Sequence, residues 1–492
     1  MNSTFPYLST ILFLPSAGLL LILLLKAKYP KAAYPVSILV SGLALLLTIW
    51  FGASGMVGNF AHVEEVSWIP SIGAAYRLGL DGISYPLVLL TTILFFASIV
   101  FSSETKKDAP AYFALALLLQ TACLGVFLSL DLLLFYVFFE VTLVGMYFLI
   151  AGWGHENRKK AAVTFFVYTL IGSLILLLAL LSLYLNTAPR TFDMRVLIAQ
   201  HSLTGPAAAF TFWGLFIAFA IKTPLFPFHT WLPLAHTEAP ATGSTILAGI
   251  LLKLGTYGFI RFSLQMMPET FKQYSMYVIV VAVVSALYGA FVAMAQTDIK
   301  RMVAYTSVNH MGYLVFGIAI AAITQSPAGI QALDGAVLQM FSHGIVTGCL
   351  FLLIGSLQER LTTREMPAFQ GLLKSFPVLS ALFIIASFAS LGLPGLAHFL
   401  AEFEIFLGGY SVYPVAVGVM LIGLVITTAL YLRAIQMSFM GTPDESTLTS
   451  KLDLKSYELW AIVPLIILII LIGIFPNIIL SIIHQTTKLF AA

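Results

Sequence analysis

The sequence predicts an all-α polytopic membrane protein with about fourteen transmembrane helices, and its composition and its apolar segments support that prediction. Of the 492 residues, 60% are hydrophobic and only 9% are charged, with a mean hydropathy of +0.99. A soluble chain would be about a quarter charged. Apolar segments of roughly 20 residues, enough to cross a bilayer core of about 30 Å, recur along the whole chain. The first lacks a cationic leader region, so we expect a span and not a removed signal peptide.

The predicted spans define four parts of the chain. In order, the spans lie at 8–26, 34–53, 83–102, 110–129, 132–150, 161–185, 209–236 (broken), 244–263, 275–296, 301–323, 332–355, 376–410 (broken), 413–435 and 457–481. The parts are three leading helices (1–109), a first five-helix unit (110–264), a second (265–436) and a last helix (437–492). We assign no chemistry to the longer loops at 54–82, 186–208 and 436–456.

Span 7 combines a charge and a helix break. Lys222 lies in the apolar segment AFAIKTPLFPFHTWLP, two residues before Pro224. An ammonium at the centre of a spanning helix costs roughly 2.5–3.5 kcal/mol on insertion scales. Proline removes a backbone donor and frees the carbonyl four residues back, here that of Ala220. Segments that carry both features usually line a path for water or ions.

Two features recur at a separation of 170 residues. Pro394, in SLGLPGLAHFLAEFEIF, breaks span 12 as Pro224 breaks span 7, and His310 in span 10 takes the place of Glu140 in span 5. Spans 4–8 and 9–13 therefore resemble two copies of a five-helix unit. Because five is odd, successive copies have opposite orientations, which is the inverted repeat of many transporters. Two unrelated proline kinks are the alternative.

The basic residues predict the orientation. Of the 24 Lys and Arg, Lys222 and Lys253 lie inside spans, sixteen lie in or beside the odd-numbered loops, and six lie near the even-numbered loops and the chain ends. By the positive-inside rule, the odd-numbered loops face the cytoplasm and both termini face the other side. The formal net charge of +3 reflects this bias and does not indicate nucleic-acid binding.

Several ionisable residues lie inside or beside spans. Glu140 and Lys253 are isolated charges in mid-span, for which a function is the default interpretation because insertion is costly. The other candidates are His310, His343, His229, His236, Glu238, Glu402 and Glu404. For a lone buried histidine, a structural role competes with a functional one. A lysine in an apolar environment gives up its proton more readily, a nearby carboxylate reverses this, and histidines titrate near neutrality. The set therefore suits proton or cation transfer.

Other chemistries find little support. The two cysteines, Cys123 and Cys349, lie in separate spans and are expected to pack as small apolar residues. No iron–sulfur, nucleotide-binding or nucleophile motif occurs, so we expect no cofactor in this chain. His229 and His236 are seven residues apart, and the other histidines lie on different spans, so the spacing predicts no metal site.

Six strings resemble the antiporter-like membrane subunits of respiratory complex I over nearly the whole chain. They are FFE at Glu140, AIKTPLFPFHTWLPLAHTEAPATGS, LLKLGTYGFIRF, KRMVAYTSVNHMG, GAVLQMFSHG and LGLPGLAHFLAEF. The resemblance implies a fourteen-helix, proton-translocating subunit of NADH:quinone oxidoreductase in an energy-coupling membrane, a bacterial cell membrane or a thylakoid. NADH, FMN, iron–sulfur clusters and quinone would be bound by other subunits of the hetero-oligomer.

The resemblance also implies roles for individual residues. It pairs Glu140 with Lys222, places Lys253 at the centre of a relay with His310 and His343, and assigns the outward end to Glu402; the role of Glu404 stays open. In two places the chain departs from the family pattern. Leu234 stands where an acid is usual, which weakens a proton inlet after span 7. His398 stands where a small residue is usual and adds a titratable group four residues before Glu402.

Three functions compete. The first is an energy-coupling subunit in which protons enter from the cytoplasm, reach Lys253, pass the histidines and leave near Glu402, gated by Lys222. The second is a subunit of a multi-subunit sodium/proton antiporter or of a membrane-bound hydrogenase; the string FHTWLPLAHTEAP favours the first over the antiporter. The third is a membrane scaffold, which mid-span charges disfavour because leucine would stabilise a scaffold more.

Overall fold

The computed structural model describes residues 5–55, 59–60, 62–105, 107–201, 203–443 and 452–491, and these are almost entirely helical. The helices are α1 (Tyr7–Leu25), α2 (Ala33–Ala53), α3 (Ser84–Phe101), α4 (Ala109–Leu128), α5 (Leu132–Trp153), α6 (Arg158–Leu185), α7 (Met194–Gln200), α8 (Gly205–Lys222), α9 (Trp231–Glu238), α10 (Ala241–Leu264), α11 (Pro268–Met294), α12 (Ile299–Ile323), α13 (Pro327–Gln358), α14 (Pro377–Ser390), α15 (Ala397–Tyr410), α16 (Pro414–Phe439), α17 (Ser456–Ile474) and α18 (Asn477–Thr487).

The predicted number of spans is confirmed in the described part of the chain. Thirteen helices there are long and apolar enough to cross a membrane, and the pair α14 and α15 makes the broken span 12, which brings the number of spans to fourteen. The helices divide into a core and a periphery. Helices α3, α10, α12 and α13 are buried along almost their whole length, whereas α1, α2, α6 and α16 expose apolar faces. The polar residues on the core helices are therefore screened from lipid.

Both predicted breaks are present, and each frees a carbonyl. Helix α8 ends at Lys222, and the Ala220 carbonyl, freed by Pro224, accepts the Leu225 N–H at 2.9 Å. Helix α14 ends at Ser390, four residues before Pro394, and α15 begins at Ala397. The freed Ser390 carbonyl accepts a hydrogen bond from His310 at 3.2 Å. The second break thus exposes a polar group to a residue of the predicted relay.

Helices α5 and α12, the fifth and tenth spans, begin in the same way. Asp131 caps α5 by accepting backbone N–H groups from the next turn, and Asp298 caps α12 likewise. Each cap pairs with an arginine, Arg77 at 2.9 Å and Arg364 at 3.1 Å. These matched caps support the predicted repeat. The proposed boundaries of the four parts stay a prediction.

Two features differ from the sequence expectation. Segment 54–82, which was predicted to be a loop, contains an antiparallel hairpin of β1 (Val63–Ile69) and β2 (Ala74–Gly79), so the described chain is not purely helical. Span 14, predicted to end at 481, ends at Ile474, because the residue before Pro476 disfavours helical geometry. The amphipathic α18 follows as a separate helix.

Candidate functional site

Lys253 lies at the centre of the most buried helix, α10. The helix contains two π-helical segments, Leu247–Leu251 and Phe259–Leu264, on either side of it. Such segments break the regular hydrogen-bond ladder and are frequent at functional sites. The Lys253 Nζ donates to the Ala248 carbonyl at 2.7 Å and to His343 Nδ1 on α13 at 2.6 Å. The amine of Lys253 is therefore in direct hydrogen-bond contact with a titratable ring, the imidazole of His343.

The histidines of α12 and α13 continue from Lys253. When Lys253 is protonated, its ammonium can only donate to His343 Nδ1, so the hydrogen of that neutral ring is on Nε2, which has no partner in the described residues. His310 donates its Nε2–H to the Ser390 carbonyl, so its unpartnered Nδ1 has a free lone pair. The two ring centroids are 5.4 Å apart. A donor and an acceptor therefore lie close enough for a bridging water to connect them.

Glu402 on α15 ends this series. It is 3% exposed, and its Oε1 lies 3.7 Å from His310 Nε2 and accepts from Gln339 Nε2 at 3.3 Å. His398, one turn earlier on α15, forms a triangle with the other two histidines, because its ring centroid lies 4.9 Å from that of His310 and 5.9 Å from that of His343. The structure thus brings together predicted residues from four different spans. We call Lys253, His343, His310, His398 and Glu402 the central series.

Lys222 and Glu140, the predicted pair, do not form a salt bridge among the described residues. The Lys222 ammonium is buried without a hydrogen-bond partner in the described part of the chain, and it lies 4.7 Å from the centre of the Phe139 ring. Glu140, the next residue on α5, is half-buried with one carboxylate oxygen unpartnered, and it interacts with Lys222 only through space. The pair is close enough for electrostatic coupling, and a small movement of α5 or α8 would change its strength.

A polar cavity of about 520 Å³ opens where the odd-numbered loops meet, lined by residues that include His155, Asn157, Glu238, Asp298 and Arg364. Partial burial, and then repulsion by Lys300 and Arg364, lowers the pKa of His155 to about 4, so this ring is uncharged at neutral pH. The Glu238 carboxylate accepts the Asn157 N–H at 2.8 Å. The cavity reaches the last turn of α9, where Glu238 lies.

One buried lysine and one buried histidine, Lys300 and His236, lie between this cavity and the central series. Lys300, in the first turn of α12, donates to the Ala239 carbonyl at 2.6 Å. His236 is fully buried, with both ring nitrogens unpartnered in the described residues and its ring stacked on Phe351 at 4.6 Å. Lys300 and Lys253 are both near enough to act electrostatically on His236. Lys300 and His236 therefore extend the central series from Lys253 toward the cavity.

Not every candidate belongs to this series. His229 packs among the rings of Phe226, Tyr288 and Tyr305, which favours a structural role. Glu404 is half-buried on α15 and lines a separate cavity of about 500 Å³ at the opposite face.

Sequence reasoning missed two residues of the site. Lys300 has an unusual signal, since a lysine in the first turn of a helix opposes the helix dipole, and here it is fully buried. Gln339 had no signal in its own neighbourhood of the sequence, because only the packing of α13 against α15 places it against Glu402.

The amino-acid sequence of this chain matches the model of a known family. The family model "NADH:quinone oxidoreductase/Mrp antiporter, TM" matches residues 129–430, which include every member of the central series. The chain belongs to this family. It is similar to the NADH-quinone oxidoreductase subunit M of Rickettsia prowazekii (strain Madrid E), with 41% identity over 98% of both chains.

Two further proteins are similar to this chain over almost its whole length. The F(420)H(2) dehydrogenase subunit M of Methanosarcina mazei is 36% identical, over 96% of this chain and 95% of the relative. In the structure of respiratory complex I from Thermus thermophilus with bound NADH, one chain superimposes with a TM-score of 0.88 at 33% identity, over 98% of this chain and 99% of that one. The chain is thus an antiporter-like, multi-pass membrane subunit of the complex I type.

Proposed function

We propose that this chain translocates protons in the membrane arm of a complex I-type NADH:quinone oxidoreductase, driven by redox chemistry in other subunits. The observation that carries the proposal is the central series, in which Lys253, three histidines and Glu402 follow one another across the buried core. A structural core would gain nothing from so many buried titratable groups, because each is costly to insert.

The path runs laterally through the core. Protons enter from the cytoplasm through the cavity beside Glu238, reach Lys253 by way of His236 and Lys300, and pass from His343 to His310 through bridging water. They leave near Glu402, which lies on the outward half of the second broken span. The orientation follows the loop charges, with both termini on the non-cytoplasmic side.

Lys222 gates the path. When Glu140 approaches, the charged form of Lys222 is stabilised, and when Glu140 withdraws, the buried ammonium releases its proton. The absence of a salt bridge within 4.0 Å among the described residues corresponds to the withdrawn arrangement. A conformational or electrostatic signal from a neighbouring subunit could therefore load and unload the first half of the channel.

The assembly supplies what this chain does not. NADH, FMN, iron–sulfur clusters and quinone are bound by other subunits, and the complex lies in a bacterial cell membrane. A subunit of a sodium/proton antiporter is the second candidate, since the family model covers both classes. Co-purification of flavin and iron–sulfur subunits would support the first candidate, and co-purification of only small antiporter subunits would contradict it.

The gating roles are tested in the purified complex reconstituted into liposomes. We expect Glu140→Gln and Lys222→Ala each to abolish most proton pumping and the quinone reduction coupled to it, while the complex still assembles. The measurement is the number of protons pumped per electron, alongside the rate of quinone reduction. A normal stoichiometry in either variant would rule out the gate.

A further inference from the structure

His310, His398 and Glu402 converge on one point in the core. One ligand atom from each lies within 4.8 Å of the other two, and all three side chains are buried. They come from the middle of α12 and the first half of α15. The histidines are 88 residues apart in the chain, so their spacing carries no metal-binding signal. The sequence expectation of no metal site was based on the seven-residue separation of His229 and His236 and on the position of the other histidines on different spans.

The three groups have unused ligand capacity. Neither ring nitrogen of His398 makes a hydrogen bond of ordinary geometry in the described residues, although backbone groups of Ser342 and Ser390 lie beside the ring. His310 Nδ1 is also unpartnered. Glu402 Oε1 accepts one hydrogen bond, from Gln339. Because buried polar atoms are rarely left without partners, these free positions call for a ligand or ordered water.

We propose that His310, His398 and Glu402 form a binding site for a divalent transition-metal ion of the Zn²⁺ class. Two imidazoles and one carboxylate with a position left for water are the donor set of many open zinc sites. Tetrahedral coordination at about 2.0–2.1 Å places ligand atoms roughly 3.3 Å apart. The 3.7 Å between His310 Nε2 and Glu402 Oε1 is close to that value, and small side-chain rotations bring in His398. Ligation through His310 Nε2 requires that this nitrogen give up its hydrogen bond to Ser390 and that the ring hydrogen move to Nδ1.

The donor set also selects the kind of ion. Imidazole nitrogens suit zinc, copper, nickel and iron, whereas Mg²⁺ and Ca²⁺ prefer oxygen ligands. Gln339, hydrogen-bonded to the carboxylate, holds Glu402 in place as an outer partner. A bound ion would engage three members of the central series at once. It would therefore block proton passage to Glu402, a consequence that rests on the proposed function, whereas the binding itself does not.

Binding is tested without turnover, on the purified complex that contains this chain. The complex is incubated with Zn²⁺ and desalted, and the retained zinc is measured by elemental analysis. We expect wild type to retain one equivalent more than His398→Ala and His398→Asn; the second variant guards against a folding defect. Glu404→Gln, on the same helix but facing the other cavity, is the matched control and should retain as much as wild type. Equal retention in wild type and both His398 variants would overturn the site.

X-ray absorption and inhibition complete the test. The zinc that depends on His398 should show two imidazole ligands at about 2.0–2.1 Å; an all-oxygen shell would overturn the assignment. Zn²⁺ should slow proton pumping reversibly, and His398→Ala should need at least about tenfold more of it, measured against its own uninhibited rate, because even outer partners change metal affinity that much. Zinc bound at the site without inhibition would support the site and contradict the relay.

Discussion

At the scale of single residues, the two acids of α15 have different surroundings. Glu402 is buried against His310 and Gln339, whereas Glu404, two residues later, lies on the wall of a cavity that also holds Asp334 and His484. Inside the core, no other group can take over proton transfer from the Glu402 carboxylate. At a cavity wall, water or a neighbouring acid can take over that role from Glu404. The structure therefore supports Glu402 as the outward end of the series.

This difference predicts the effect of two matched substitutions. Glu402→Gln should abolish most proton pumping, because the amide neither accepts nor releases a proton, while Glu404→Gln should change it little. The measurement is the pumping rate of the reconstituted complex, compared at equal subunit content. A loss in Glu404→Gln as large as that in Glu402→Gln would reverse the assignment.

At the scale of elements, the broken helices are the feature that the chain uses twice. The 170-residue separation places Gly392 at the position that corresponds to Lys222. Gly392 has φ +79°, and a Cβ there would lie 2.9 Å from Glu402 Oε2. In the first half the break presents a cation, and in the second it leaves room for an acid from the following helix. The same kind of helix break thus accommodates a cation, Lys222, in the first half and an acid, Glu402, in the second.

The close approach at Gly392 makes a second prediction, with Gly395 as its control. Both residues have positive φ, +79° and +89°, so alanine costs roughly 1–2 kcal/mol of backbone strain at either. Only at Gly392 would the added methyl group displace the Glu402 carboxylate, because Gly395 faces open space. We expect Gly392→Ala to reduce pumping severalfold more than Gly395→Ala, at similar thermal stability of the complex. Equal pumping in the two variants would show that strain alone matters.

At the scale of the whole molecule, the last long helix is attached by a buried ion pair. Arg360, just after α13, bonds to Glu458 in the first turn of α17 at 2.6 Å, and both side chains are almost fully buried. Arg360 also donates to the carbonyls of Ser356 and Asp453. Such a pair is costly to break from one side, since it leaves a buried charge without a partner.

The attachment is tested by a double-substitution cycle. Arg360→Met should destabilise the chain by about 3–5 kcal/mol, because Glu458 would then be unpaired. Arg360→Met combined with Glu458→Leu should recover most of that loss, since no charge stays buried. Thermal unfolding of the detergent-solubilised complex measures both effects. A double variant less stable than the single one would mean that Glu458 stabilises α17 mainly through other contacts, such as the hydrogen bond that it accepts from the Lys455 N–H.

The sequence by itself determined the number of spans, the two breaks and the residues that carry charge into the membrane. These properties are local, because an apolar stretch of 20 residues, a proline or an isolated lysine has the same physical meaning in any fold. The hairpin between α2 and α3 and the early end of α17 were missed, since short strands and a proline at a helix end depend on small backbone preferences.

Only the tertiary structure decided which charges meet. His310, His398 and Gln339 are far apart in the chain, and they meet Glu402 because α12, α13 and α15 pack together at the second break. Likewise, the order from Lys253 to His343 depends on one 2.6 Å contact between α10 and α13. Contacts between helices depend on how whole helix faces pack together. The hydrophobicity of a span does not specify which faces meet. For that reason the sequence predicts the members of the site, while the fold determines their order.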